Sequence, residues 1–204
     1  MEKNVDKFLE TLASSALTPG GGSAAALCGA LAIALGNMVG NLTLGKKKYA
    51  DVQEDIAALN EKAETLRKDF VALIDADAEA FKPLSEAYGI PKDDPMRADV
   101  MESALLKAVQ PPMEIMRKCV KALDVISEYA AKGSALAISD AGCAAALARA
   151  AADAAVLNVR INTKSMTDHK VANHLNVEAN SLVMHCNLVA EEIYDTVYGG
   201  LAYV

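Results

Sequence analysis

The chain has 204 residues and a net charge of −7; hydrophobic residues make up 52% of it, yet aromatics only 4%. A chain of this length buries a core without disulfide or metal staples. Its acidic balance argues against broad binding to nucleic acid or anionic membrane, which needs a basic field, while leaving room for one anionic small ligand held by a local basic patch. The apolar mass is Ala, Leu, Val and Met, with no Trp, and such a helix-forming, aromatic-poor composition predicts an all-α protein.

Residues 3–15 form a short amphipathic pattern, with Val5, Phe8, Leu9 and Leu12 on one face. Thr18-Pro19-Gly20-Gly21-Gly22-Ser23 reads as a loop, with Gly22 or Ser23 placed to cap the next helix. That helix is predicted to run to about Leu44, with Gly45 at a left-handed stop. No charged residue falls between Thr11 and Gly45. The stretch 23–44 is long enough to span a bilayer. Asn37, Asn41, Thr43, three Gly and many Ala dilute its hydropathy. Glu2, Asp6 and Glu10 are unlike a signal peptide. The helix is therefore expected to be soluble and buried on every side, within a bundle or a dimer. Gly36 and Gly40 share a face that admits a neighbouring helix.

A long helix is expected over 50–81, ending before Pro83, and Tyr88–Pro95 is a turn-rich loop. Residues 96–109 are helical, until Pro111 and Pro112 kink or restart the helix into 112–132, which Lys132-Gly133 closes. A second Ala-rich helix spans 137–163, a break covers 163–167, and the last helix spans 168–197 before Gly199-Gly200 frays the tail. Nothing divides the chain, so 1–204 is expected to be one domain, a bundle of long antiparallel helices. Cys28, Cys119, Cys143 and Cys186 have no CxxC spacing and read as reduced core thiols of a cytoplasmic protein. His169, His174 and His185 make no zinc set, and no metal site is expected.

Four stretches have chemical potential. Gly20, Gly21, Gly22 and Ser23 could let backbone N–H groups approach a ligand at a helix start, or could be a plain turn. Lys46, Lys47 and Lys48 either complement a helix dipole or hold a polycarboxylate. In Asp75-Ala-Asp77-Ala-Glu79, Asp75 and Glu79 share a helix face and Asp77 lies on another. The apolar company suits a carboxyl that keeps its proton longer, and the plain alternative is a solvated acidic stripe. Ser139 and Asp140 look like a helix N-cap pair, while Asn158 and Asn162 share one helix face.

These stretches, in this order, resemble the cyclodeaminase domain of formiminotransferase-cyclodeaminase and its stand-alone relatives, the methenyltetrahydrofolate cyclohydrolases. The similarity rests on "TPGGGSAAALCGALAIALGNMVGNLTLGKKKY", "LIDADAEAF", "SD" at 139–140 and "NVRIN" at 158–162, and it covers essentially the whole chain. The resemblance implies an all-helical homodimer with a folate site near the subunit interface, and it makes Asp77 the catalytic carboxylate. Gly20, Gly21, Gly22, Ser23, Lys46, Lys47, Lys48, Ser139, Asp140, Asn158 and Asn162 become candidate substrate-binding residues, the lysines toward the carboxylates of a folate tail, polyglutamylated tails included. The expected activity is hydrolysis of 5,10-methenyl-tetrahydrofolate to 10-formyl-tetrahydrofolate, with no metal or redox cofactor. The alternatives are formimidoyltetrahydrofolate cyclodeaminase, which releases ammonia, and a non-catalytic folate-binding dimer. The absence of a transferase domain from the chain tilts the expectation toward the cyclohydrolase.

Overall fold

A computed structural model describes residues 5–201. Seven α-helices account for most of them: α1 (Val5–Leu12), α2 (Gly21–Asn41), α3 (Gln53–Tyr88), α4 (Arg97–Ala108), α5 (Gln110–Lys132), α6 (Ile138–Thr163) and α7 (His169–Gly200). No strand occurs among the described residues.

The charge-free helix α2 is central, packed against α3, α5 and α6. Small residues make this possible. A Cβ on Gly29 would overlap Phe70, and one on Gly40 would overlap Asn60, so α2 and α3 meet almost backbone to side chain. Gly36 faces Ile126 and Tyr129 of α5, the close approach expected of the Gly36/Gly40 face. On the other flank the Cys28 thiol donates to the Leu147 carbonyl of α6 at 3.2 Å. The pairings Gly22–Asp77 and Gly40–Asn60 run α3 antiparallel to α2. Gly21 beside Asn158, with Cys28 beside Leu147, does the same for α6. In α6, Ala141, Ala144, Ala145, Ala148, Ala151, Ala152 and Ala155 have no exposed surface, so side-chain bulk cannot hold the neighbouring helices α2, α5 and α7 apart.

A polar chain running from buried Tyr129 to the surface at Asn41 locks the far end of α2. The Tyr129 hydroxyl donates to Asn60 Oδ1 at 2.7 Å. Asn60 Nδ2 donates to Asn41 Oδ1, Asn41 Nδ2 to Asn37 Oδ1, and Asn37 Nδ2 to the Asn60 carbonyl. Every amide in the chain thus has a partner across or along a helix.

Several boundaries differ from expectation. Helix α2 begins at Gly21, inside the glycine run, with Gly20 at the N-cap and no side-chain cap; Ser23 is within the first turn rather than the cap. Helix α3 passes through Pro83 to Tyr88, because Leu84 and Ala87 are buried and hold the last turn despite the lost N–H. Ser139 and Asp140 also lie inside a helix, since Ala137 is the N-cap of α6. The last helix runs through Gly200 rather than fraying before it. Gly45 takes the expected left-handed φ of 73°. Cys143 is exposed, unlike the buried Cys119 and Cys186.

Burial of α2 within one chain is incomplete: Leu31 is 51% exposed, and Met38, two turns on along the same face, is exposed too. Helix α2 and the stretch Ala135–Thr163 are long and apolar enough to cross a membrane by length and composition, and 56% of the α2 window is buried in the bundle.

Candidate active site

The start of α2 supplies the site's floor. The extended backbone at Gly20 aims the first-turn N–H groups of α2 outward, without a side-chain cap. The carboxyl of Asp77, from the middle of α3, moves into the space a side chain at Gly22 would fill. The Ser23 hydroxyl lies 3.0 Å from Asp77 Oδ2, and the Ser23 backbone N–H also donates to the carboxyl. Burial pushes the Asp77 carboxyl above the usual carboxylate range, and the two Ser23 donations pull the other way. Asp75 and Glu79, in contrast, are exposed, and Glu79 is paired with Lys82 at 2.6 Å.

Helix α6 closes the opposite wall with Asn158, Ile161 and Asn162, which share a face at i, i+3 and i+4. Asn158 Nδ2 donates to the Ala154 carbonyl at 2.9 Å. Asn162 Nδ2 donates to the Asn158 carbonyl at 2.9 Å and to that of Ala108 at 3.3 Å. A carbonyl can only accept, so both amides are fixed nitrogen-down, leaving their Oδ1 atoms to accept from a ligand. Leu17, Thr18 and Phe81 complete a cleft of about 160 Å³. It joins apolar walls to one perturbed carboxyl and two amide acceptors, a composition suited to a flat heterocycle with N–H donors.

Sequence reading missed Leu17, Thr18, Phe81, Ala108 and Ile161. The available signals were helical phase: Phe81 is four residues after Asp77, and Ile161 sits between the two asparagines.

The remaining candidates lie elsewhere. Helix α2 has 21 residues, about 30 Å of rise, so Lys46, Lys47 and Lys48 are at the opposite end of the molecule from Asp77. Lys46 Nζ donates to the Ser134 hydroxyl at 3.1 Å. Tyr49 Oη accepts from the Ala135 N–H at 2.9 Å. That donation, with Ser134 and the charges of Lys48 and Lys46, holds the Tyr49 phenol below its usual value. Lys47 and Lys48 are exposed. Ser139 and Asp140 start α6 and so belong to this second end, while Asn158 and Asn162 belong to the first. One chain thus carries two polar clusters: glycines, Asp77 and asparagines at one end, lysines, Ser139 and Asp140 at the other. A larger groove of about 560 Å³ between α3 and α5 is lined by charges of both signs, of which Lys118 pairs with Asp69 at 2.6 Å. No group of three or more metal-ligating side chains occurs among the described residues.

The family model for formiminotransferase-cyclodeaminase matches residues 4–181. The chain belongs to this family. It is 41% identical to a methenyltetrahydrofolate cyclohydrolase of Methylorubrum extorquens over 96% of both chains. It is 30% identical to the formimidoyltransferase-cyclodeaminase of Mus musculus over 82% of this chain, and the match spans 32% of the mouse protein. The crystal structure of a formiminotetrahydrofolate cyclodeaminase from Thermotoga maritima superposes with a TM-score of 0.90 at 26% identity, covering 99% of this chain and 98% of the other. The family members named here process one-carbon folates, and the cleft around Asp77 is where this chain sets a carboxyl of raised pKa beside a cavity of about 160 Å³.

Proposed function

We propose that the protein is a methenyltetrahydrofolate cyclohydrolase, using Asp77 as the proton-transfer group. The observation that carries this is the position of Asp77: a half-buried carboxyl whose pKa burial raises, facing the cleft between the α2 N-terminus and the α6 asparagines. The 41% identity to a named cyclohydrolase, against 30% and 26% to the cyclodeaminases above, favours this activity over the deaminase.

In 5,10-methenyl-tetrahydrofolate one carbon bridges N5 and N10 as an amidinium. Asp77, ionised, takes a proton from water as its oxygen adds to that carbon. The resulting tetrahedral carbon bears a hydroxyl. Asp77 then returns a proton to N5 as the N5–carbon bond breaks, and it accepts the hydroxyl proton as the carbonyl forms. The product is the 10-formyl compound, with one proton released overall. The same carboxyl serves as base, acid and base in turn, and such help contributes about 10²–10⁴-fold. The oxygens of Asn158 and Asn162 accept from N–H groups of the pterin, and Phe81 and Ile161 pack on its faces. The chemistry needs water and proton movement alone.

The lysines take the negative glutamate tail, polyglutamate included, with Ser139 and Asp140 beside them. Because they are about 30 Å from Asp77 along α2, this role requires a second copy of the chain. An antiparallel homodimer brings the Lys46–Lys48 end of one subunit to the Asp77 end of its partner. Apolar residues left uncovered support it: Leu157 and Ile161 on α6 are 69% and 63% exposed, and Val177, Met184 and Leu188 line one exposed face of α7. The assembly is a cytoplasmic one.

The test is a pair of assays on purified protein. Loss of the near-ultraviolet band of methenyl-tetrahydrofolate faster than in buffer supports hydrolysis. Appearance of that band from 5-formimino-tetrahydrofolate, without accelerated loss, selects the deaminase instead. Tight binding of either folate with no turnover selects the non-catalytic reading.

A further inference from the structure

Ser23 carries one hydroxyl hydrogen but faces two oxygens. Its Oγ is 3.0 Å from the Ile74 carbonyl and 3.0 Å from Asp77 Oδ2. The residue has no exposed surface, so water does not resolve the conflict. The Ile74 carbonyl can only accept. When the hydroxyl donates to Ile74, its contact with Asp77 requires that Asp77 be the donor, and therefore protonated. When Asp77 is ionised, the hydroxyl turns to donate to it. The Ile74 carbonyl lies within helix α3, where the main-chain hydrogen bond to the next turn still serves it.

We propose that Ser23 is a positioning residue whose single hydroxyl proton alternates between the Ile74 carbonyl and the Asp77 carboxylate as Asp77 takes up and gives back its proton. This inference rests on the reading of Asp77 as the proton-transfer group. It assigns Ser23 a role behind the carboxyl rather than against substrate. Both protonation states of Asp77 keep a hydrogen bond, and only a hydroxyl rotation separates them. No heavy atom need move in a packed site. A carboxyl that must act as base, acid and base within one turnover benefits from this arrangement, because neither state is left with an unpaired buried atom.

The two bonds are unequal. The one to the carboxylate is charge-assisted and the stronger. Removing the hydroxyl therefore destabilises ionised Asp77 more than neutral Asp77, and the apparent pKa of Asp77 rises by about one unit in Ser23→Ala, the scale of one charged hydrogen bond. The experiment titrates the Asp77 carboxyl directly by carbon-13 NMR of aspartate-labelled protein, with the resonance assigned by its loss in Asp77→Asn. The pH profile of kcat/KM is measured on the same variants. Ser23→Ala should move both the carboxyl titration and the rising limb of the profile upward together. Ser23→Thr, which keeps the hydroxyl, should return both toward wild type. An Asp77 titration in Ser23→Ala that coincides with wild type overturns the proposal. If the titration moves while the rate limb stays fixed, the Ser23–Asp77 coupling stands and the assignment of Asp77 as the proton-transfer group falls.

Discussion

Gly22 and Asp77 share one volume: a Cβ on Gly22 would overlap the Asp77 carboxyl. The glycine is needed there for what it lacks, since only its missing side chain lets the acid reach the first turn of α2. In Gly22→Ala the carboxyl must move by the width of a methyl group. Misplacement on that scale costs on the order of 10²-fold in catalysis. The expected result is a kcat lowered to that extent in a chain that remains helical by circular dichroism.

The raised pKa of Asp77 has two consequences with defined sign. A general base works when ionised, so kcat/KM should climb with pH along a limb centred above the ordinary carboxylate range. Folding, in turn, favours the protonated form. The stability contributed is fully present below the unfolded-state pKa, near the model-compound value of 3.8, and is lost as pH rises through the higher folded value. Thermal melts should therefore show wild type losing ground to Asp77→Asn as pH rises across that window. A constant difference across it would contradict a raised pKa.

Asn162 is held by two carbonyls that fix which way its amide faces. Asn162→Leu removes the acceptor and leaves a pterin N–H unpaired, a loss of about tenfold in binding. Steady-state kinetics should show KM rising by that factor, with kcat changed less than in Asp77→Asn.

The proposed dimeric site has an arithmetic signature. Asp77→Asn chains lack the acid, and chains with Lys46, Lys47 and Lys48 all changed to Ala lack the tail-binding end. Mixed one to one and allowed to exchange, half of the dimers pair the two variants, and each such dimer regains one intact site of two. Activity should recover to about one quarter of wild type, as expected for random pairing in a closed two-fold dimer. No recovery after exchange would mean that the two ends never serve one site.

Tyr129 tests the scaffold separately from the chemistry. It is fully buried, burial pushes its phenol up to about 12, and its hydroxyl donates to Asn60. Tyr129→Phe strands the Asn60 acceptor and should cost about 1–3 kcal/mol in denaturant unfolding. Turnover of the folded fraction at saturating substrate should be unchanged, because these hydrogen bonds include neither a residue of the Asp77 cleft nor Lys46, Lys47 or Lys48.

Much of this architecture was legible in the chain. Ala-rich composition announced helices, Gly133 marked a real end, and Gly36 and Gly40 announced a close neighbour, whereas α2 stops at Asn41, short of the expected Leu44, and the left-handed Gly45 lies in the turn beyond it. Pro83 misled because its cost is local, and buried Leu84 and Ala87 on the next turn outweigh it. Ser139-Asp140 misled because their residue types favour caps while the neighbouring packing set the helix start earlier, at Ile138. For the site, spacing revealed only an acid in apolar company; the choice of Asp77 came from resemblance. The cleft itself was hidden, because Leu17, Phe81 and Ala108 are ordinary apolar residues until three separate segments converge. The distance between the glycine and lysine ends was implicit in the helix length that separates them.

Loss of methenyl-tetrahydrofolate absorbance, followed for wild type and Asp77→Asn side by side at one pH, tests the central claim most directly. Wild type should accelerate hydrolysis well beyond buffer, and Asp77→Asn should lose about 10²–10⁴-fold of that acceleration while still folding and binding folate. An Asp77→Asn protein that hydrolyses as fast as wild type would contradict the account.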